Sequence, residues 1–207
     1  GTKVPPPSHP IELLAKAYGL VERERGGSII NARRSPMNMP AERREITRSD
    51  ILSMPDYGKV RKERRAQLLP AKRLRRFAVG PDATFYFENY DSMWLQVHEM
   101  LFVEKGGEAQ IADELGAYNP LIPQGQELVA TLMFEIDDPV RRDRTLSRLG
   151  GVENTISLSF AGETVKAEPE TDIERTKADG KTSSVHFLHF RFTPAQIAKF
   201  RVAGTAV

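Results

Sequence analysis

Four histidines and 28 acidic side chains are the groups with which this 207-residue chain could bind a metal or move a proton, because it has no cysteine. Without a thiol there is no disulfide scaffold, no cysteine-ligated zinc, no sulfur nucleophile and no self-ligated iron–sulfur cluster. The histidines are His9, His98, His186 and His189. A di-iron carboxylate bundle needs Glu-x-x-His on two helices, and the residue three before His98 is Leu95. His-Glu-x-x-His also fails, since after His98-Glu99 and the spacers Met100 and Leu101 the second histidine's place is taken by Phe102. A non-local set remains. His98 or Glu99 from a long helix, Glu135 from a strand and His186 or His189 from the last strand could converge on a single metal ion, because imidazole and carboxylate are its usual ligands. The competing reading is ordinary: each group is exposed or satisfied by a hydrogen bond. Strand alternation puts His186 with Leu188, Phe190 and Phe192 on one face and His189 with Val185, Phe187 and Arg191 on the other. The two histidines therefore cannot share one ion from a regular strand, and His186, among apolar neighbours, is the one expected to be buried.

Other chemistries find less purchase. The phosphate loop Gly-x-x-x-x-Gly-Lys-Ser/Thr and the dinucleotide motif Gly-x-Gly-x-x-Gly are absent. Gly106-Gly107 and Gly150-Gly151 follow helical patterns, where glycine ends a helix. Ser183-Ser184 lies near His186, but no Gly-x-Ser-x-Gly elbow presents a nucleophile.

Charge is distributed very unevenly. The formal net charge of +2 conceals a segment 40–80 with 12 basic and 5 acidic residues and a segment 81–138 with one basic and 12 acidic residues. Lys59, Arg61, Lys62, Arg64, Arg65, Arg73, Arg75 and Arg76 form the densest basic run. One reading folds the basic segment onto the acidic one or leaves both facing water. The other docks an acidic partner or a polyanion on the basic run, since clustered charge of one sign steers association. Nucleic acid is the weaker version, because stacking aromatics are missing between those positions and the acidic middle repels phosphate.

These groups need a scaffold, and 40% apolar with 28% charged residues specify a globular one. The apolar runs are far shorter than the roughly 20 residues of a membrane span, and the start of the sequence lacks a signal peptide's apolar middle; a soluble, cytoplasmic protein is expected. Residues 1–40 read as an extension with a short helix over 11–18 and a linker over 21–40, and 41–207 as a single domain. A short helix capped by Thr47 or Ser49 is expected up to Met54, stopped by Pro55, followed by a second over 57–69 that Pro70 interrupts. Strands over 77–79 and 84–87 flank the turn Gly80-Pro81-Asp82. The best helix runs from a cap at Asp91 or Ser92 to Lys105, with a short helix over 110–115 and two prolines enforcing irregular structure over 118–123. Strand 128–136 precedes a helix over 139–149, a hairpin over 155–160 and 164–167, a surface loop over 168–181, a strand over 185–192 and a last helix over 195–200. Regular strand–helix alternation is missing, so the fold class is α+β, an antiparallel sheet packed by helices with an N-terminal helical and linker extension.

The strings Arg75-Arg76-Phe77-Ala78-Val79-Gly80-Pro81, Phe87-Glu88-Asn89-Tyr90-Asp91-Ser92-Met93, Gln96-Val97-His98-Glu99-Met100-Leu101, Tyr118-Asn119-Pro120-Leu121-Ile122-Pro123, Ala130-Thr131-Leu132-Met133-Phe134-Glu135-Ile136 and Thr182-Ser183-Ser184-Val185-His186-Phe187 resemble a bacterial family of unknown function over 46–200. That family carries no assigned reaction. The resemblance implies a gene neighbourhood with a rubrerythrin-like protein and an iron–sulfur protein similar to heterodisulfide reductase subunits. Residues 9–20 also resemble the C-terminal tail of that iron–sulfur protein; a fused piece of the neighbour and an ordinary extension both fit. Three functions stay open. The first is an accessory protein of a rubrerythrin/iron–sulfur electron-transfer or peroxide-defence system, acting by protein–protein binding through 59–76 or the acidic middle. The second is a metal- or small-ligand-binding enzyme using Glu99, Glu135 and His186. The third is nucleic-acid binding through 59–76. A homo-oligomer fits any of them.

Overall fold

The structure, a computed structural model, describes residues 43–171, 176, 178 and 180–207. The expected helix 11–18, the linker and the tail-like segment 9–20 lie outside the described residues. Five α-helices and seven strands follow in the order α1 (Met54–Leu74), β1 (Arg76–Val79), β2 (Ala83–Phe87), α2 (Tyr90–Glu104), α3 (Glu108–Tyr118), β3 (Glu127–Phe134), α4 (Pro139–Leu146), β4 (Ser157–Phe160), β5 (Glu163–Lys166), β6 (Glu168–Pro169), β7 (Val185–Arg191) and α5 (Pro194–Phe200). The expected α+β class is what is found. No helix among the described residues is long and apolar enough to cross a membrane.

The main sheet has the order β1-β2-β3-β7-β6 with antiparallel neighbours, and β4 and β5 form a separate hairpin. Alternation along β3 and β7 gives the sheet two apolar faces. Val129 and Phe187 turn to one side, against Tyr90, Met93, Val97 and Leu101 of α2, Ile111 of α3, and Leu121 and Ile122. Ala130, Leu132, Leu188 and Phe190 turn to the other, against Leu158, Phe160 and Val165 of the hairpin and Phe200 of α5. Burying each such Leu or Phe contributes roughly 1.5–3 kcal/mol. Three rings close the hairpin side, Phe160, Phe192 and Phe200, with centroids 5.1–5.4 Å apart.

The basic run departs from the sequence expectation. Pro55 opens a helix rather than stopping one. Ser53 caps α1, its hydroxyl accepting from the Asp56 N–H, and proline suits the first turn, where its missing N–H costs nothing. The helix then passes through Pro70 to Leu74, giving 21 continuous residues instead of two pieces. Upstream, residues 48–50 form only a short 3₁₀ turn, with the Thr47 N–H and hydroxyl both donating to the Asp50 carboxylate. At the start of α2 the cap is Asn89, not Asp91 or Ser92: Asn89 Oδ1 accepts from the Ser92 N–H at 2.9 Å and Ser92 Oγ from the Asn89 N–H at 2.9 Å. The expected surface loop after β5 contributes the two-residue strand β6 and a bridge between Thr176 and Thr182.

Candidate functional site

The helical layer is held by a charged clamp. Arg61 on α1 grips Glu99 on α2 with two parallel bonds, Nε to Oε1 at 2.9 Å and Nη2 to Oε2 at 2.8 Å. The Tyr57 hydroxyl donates to Oε1 at 2.6 Å, and Arg65 approaches Oε2 at 3.5 Å. The Arg61 bonds, with those of Tyr57 and the nearby Arg65 charge, hold the Glu99 carboxyl down at about 2. Burial, with Glu99 beside it, pushes the Tyr57 phenol well above its ordinary value. Gly58 permits the close approach of the helices: a Cβ there would lie 3.3 Å from Cε2 of Phe102, and the Arg61 guanidinium stacks 4.8 Å above the same ring.

His98, one residue away, has no exposed surface. Its Nδ1 lies 2.7 Å from the Trp94 carbonyl and its Nε2 lies 3.0 Å from the Leu52 N–H. A carbonyl can only accept and an N–H can only donate, so the ring is neutral, protonated at Nδ1 and accepting at Nε2. Trp94 stacks on it at 3.8 Å, and burial pulls its pKa down to about 4. It fastens the chain entering α1 to α2.

The other proposed ligands lie in separate networks. Glu135 accepts from Tyr86 at 2.6 Å, Thr84 at 2.7 Å and Arg76 at 2.7 Å on the β1–β2 side of the sheet, bonds that lower its pKa, with Tyr86 first among them. His186, fully buried as expected, faces the hairpin layer with Nε2 3.0 Å from the Ser183 carbonyl and 3.2 Å from Thr182 Oγ1. Glu153 approaches its Nδ1 at 3.8 Å. The set His98, Glu99, Glu135 and His186 therefore does not assemble. Glu99 and Glu135 are each saturated by their own donors, and among the described residues no group of three or more histidines and carboxylates could hold a metal ion.

A further cluster escaped the sequence reading. His189, also buried, sits between two carboxylates, Nδ1 2.9 Å from Glu127 and Nε2 2.7 Å from Glu170. The Glu127 bond, with Glu170 adding to it against desolvation, raises its pKa. Its position on the helix-facing side of β7 was legible; the carboxylates were not, because Glu170 lies 19 residues away across an irregular segment.

The basic residues divide into engaged and free. Arg61 and Arg65 serve Glu99; Arg64 stacks on Trp94 at 5.6 Å; Arg76 binds Glu135; Lys59 pairs with Asp56; Arg75 is buried at 3% exposure. Lys62, Lys72 and Arg73 are exposed, with no carboxylate partner among the described residues. Lys62 joins Gly58, Arg61, Arg65 and Phe102 around a surface cleft of about 350 Å³. Of its three cations Arg61 and Arg65 are committed to Glu99, so Lys62 beside the Phe102 ring is the one left to meet a carboxylate from outside.

Residues 45–207 match the profile of a family described as a protein of unknown function (DUF3501), and the chain belongs to that family. The crystal structure of a novel protein of unknown function from Burkholderia pseudomallei K96243 is similar, with 38% identity, a TM-score of 0.69, and 74% of this chain and 80% of that one covered. No curated protein matches.

Proposed function

We propose that this family member is an accessory protein that works by binding another protein, with the basic face of α1 as the contact and a rubrerythrin-like or iron–sulfur protein of an electron-transfer or peroxide-defence system as the partner. The observation that supports the reading is the division just described. The fold neutralises Arg61, Arg65 and Arg76 internally and leaves Lys62, Lys72 and Arg73 facing water along one helix. Free like charges on one surface cost self-repulsion and gain only when a complementary surface arrives. A chain without cysteine holds no electrons on sulfur, so redox work falls to the partner, and the pair operates in the cytoplasm.

Mixing the purified protein with each candidate partner at low salt tests this. A complex is expected that weakens with salt and is lost in a Lys62→Glu, Arg73→Glu double variant of unchanged melting temperature. Absence of a complex at low salt with either class, or a complex indifferent to the double variant, refutes it. An oligonucleotide serves as the control polyanion, and tight binding of it with a steep salt slope would favour nucleic acid instead.

A further inference from the structure

The two edges of the main sheet are finished differently. At one, β6 has two residues, one of them Pro169, and an ion pair between Glu168 and Arg191 at 2.9 Å lies across it. Short length, proline and charge are the usual defences of an edge. At the other, β1 has four exposed residues, of which Phe77, Ala78 and Val79 carry neither charge nor proline.

Its outward hydrogen-bonding pattern follows from the register. The Phe87 N–H donates to the Arg75 carbonyl at 3.0 Å, and Phe77 faces Phe85 while Val79 faces Ala83. In an antiparallel pair, hydrogen-bonded and non-bonded residues alternate. The Arg75 carbonyl and the backbone groups of Phe77 and Val79 thus turn toward β2, the Arg75 N–H donating instead to the Lys72 carbonyl, and Arg76 and Ala78 turn theirs to the open edge. Phe77 and Val79 remain 38% and 48% exposed. They continue, through partly buried Phe85, Ala83 and Phe134, the apolar face whose other end the hairpin covers. Among the described residues no strand pairs with the outer side of β1, so an apolar shelf ends beside an open edge. Lys72 and Arg73, just before β1, carry positive charge without a carboxylate partner among the described residues.

The geometry points to β1 as an acceptor for an extended acidic segment of a partner protein, which adds as a sixth strand beside β1. The backbone groups of Arg76 and Ala78 bind its main chain, Phe77 and Val79 take its alternate apolar side chains, and Lys72 and Arg73 take its carboxylates. A second copy pairing its β1 antiparallel with this one would carry Lys72 and Arg73 toward the turn after that strand, where the carboxylate of Asp82 is already held by Arg141, so an occupant with acidic groups of its own fits the free charge better. This rests on the reading that the chain works by binding a protein and adds a second contact to it.

The test uses the full chain and a fluorescein-labelled peptide, Gly-Glu-Val-Asp-Ile-Glu-Val, with a control in which lysine replaces each acid. Anisotropy should show the acidic peptide bound at least tenfold more tightly than the control. Amide exchange at Arg76 and Ala78 should slow at least tenfold on binding. Ala78→Pro removes an outward N–H at a position where an edge strand tolerates proline, and should weaken binding at least tenfold. Val79→Glu, which repels the peptide from the shelf, serves if the proline variant is unstable. Equal affinity of both variants, or protection elsewhere, overturns the proposal. So do amides at 76 and 78 that are already slow in the free protein, whether with concentration (a second copy occupies the edge) or without (the chain covers itself). Peptide binding with no complex from either redox partner sinks only the function proposed above; a complex that survives Ala78→Pro sinks only strand addition.

Discussion

Two groups on α2, His98 fully buried and Asp91 partly so, should make stability respond to acid in opposite senses. His98 is fully buried and neutral, with its pKa lowered from 6.5 to about 4. Above pH 6.5 neither state carries its proton, and stability is full. As the pH falls below 6.5 the unfolded chain takes the proton while the folded ring cannot, so stability drops until about pH 4. At about 1.4 kcal/mol per pH unit, the loss amounts to about 3 kcal/mol. Asp91 works the other way. Burial raises its carboxyl from 3.8 to about 6, against the pull of Arg75 and Arg64. The folded state therefore binds that proton first and recovers about 3 kcal/mol between pH 6 and 3.8. The wild-type protein should change by less than about 1 kcal/mol from these two groups between pH 7 and 4.5, because the terms offset. In Asp91→Asn the His98 loss stands alone, and urea unfolding should show about 2–3 kcal/mol less stability at pH 4.5 than at pH 7. His98→Gln keeps an acceptor for the Leu52 N–H without a titrating ring, and should gain about 2–3 kcal/mol over the same interval relative to wild type. Other carboxylates titrate equally in all three proteins and cancel in the comparison. The reasoning fails if NMR finds the His98 ring titrating near 6.5, or if the three proteins share one pH dependence.

The clamp and the carboxylate-bound histidine give two more expectations. Glu99→Gln should cost about 1–2 kcal/mol at pH 7 in urea unfolding, after allowance for a half-screened pair. That cost should shrink as the pH falls from 4.5 toward 2, where the wild-type carboxylate is itself protonated; a cost constant with pH would show that the charge is not what Arg61 and Tyr57 bind. His189 carries a raised pKa, so its ion pairs stabilise fully below pH 6.5 and are lost as the pH rises through the folded value. His189→Gln should therefore cost roughly 1–3 kcal/mol at pH 6 and clearly less at pH 9, read from melting temperatures, and equal costs would mean that the ring is neutral in the fold.

Much of the fold can be read from local pattern. The alternation over 128–136 places Leu128, Ala130 and Leu132 on one face and Val129 and Thr131 on the other, as the register with β7 has them. The burial of His186 follows from its apolar neighbours at two-residue spacing. Proline misled the reading at Pro55, where the helix begins and the missing N–H had no partner to lose, and at Pro70, where the helix continues although one N–H of its interior is missing. The site was less legible for a different reason. Residue type nominates Glu99 and Glu135 as ligands, but whether a carboxylate is available turns on which donors arrive from elsewhere in the chain. Arg61 reaches Glu99 across 38 residues and Arg76 reaches Glu135 across 59.

Those same long-range pairs settle how the uneven charge is used. Arg48 meets Glu108, Arg61 and Arg65 meet Glu99, and Arg76 meets Glu135, so the basic segment folds against the acidic one at each of these points. The partition is not complete, and the remainder is ordered in space. On α1, Arg61 and Arg65 reach the Glu99 carboxylate with their planar, forked donors, and Arg64 and Arg61 stack on Trp94 and Phe102. Lys62, Lys72 and Arg73 turn outward, Lys62 at the cleft by Phe102 and the other two at the approach to β1. Both binding proposals draw on these unpaired cations, and strand addition draws besides on the exposed carbon of Phe77 and Val79 that follows Lys72 and Arg73 in the chain.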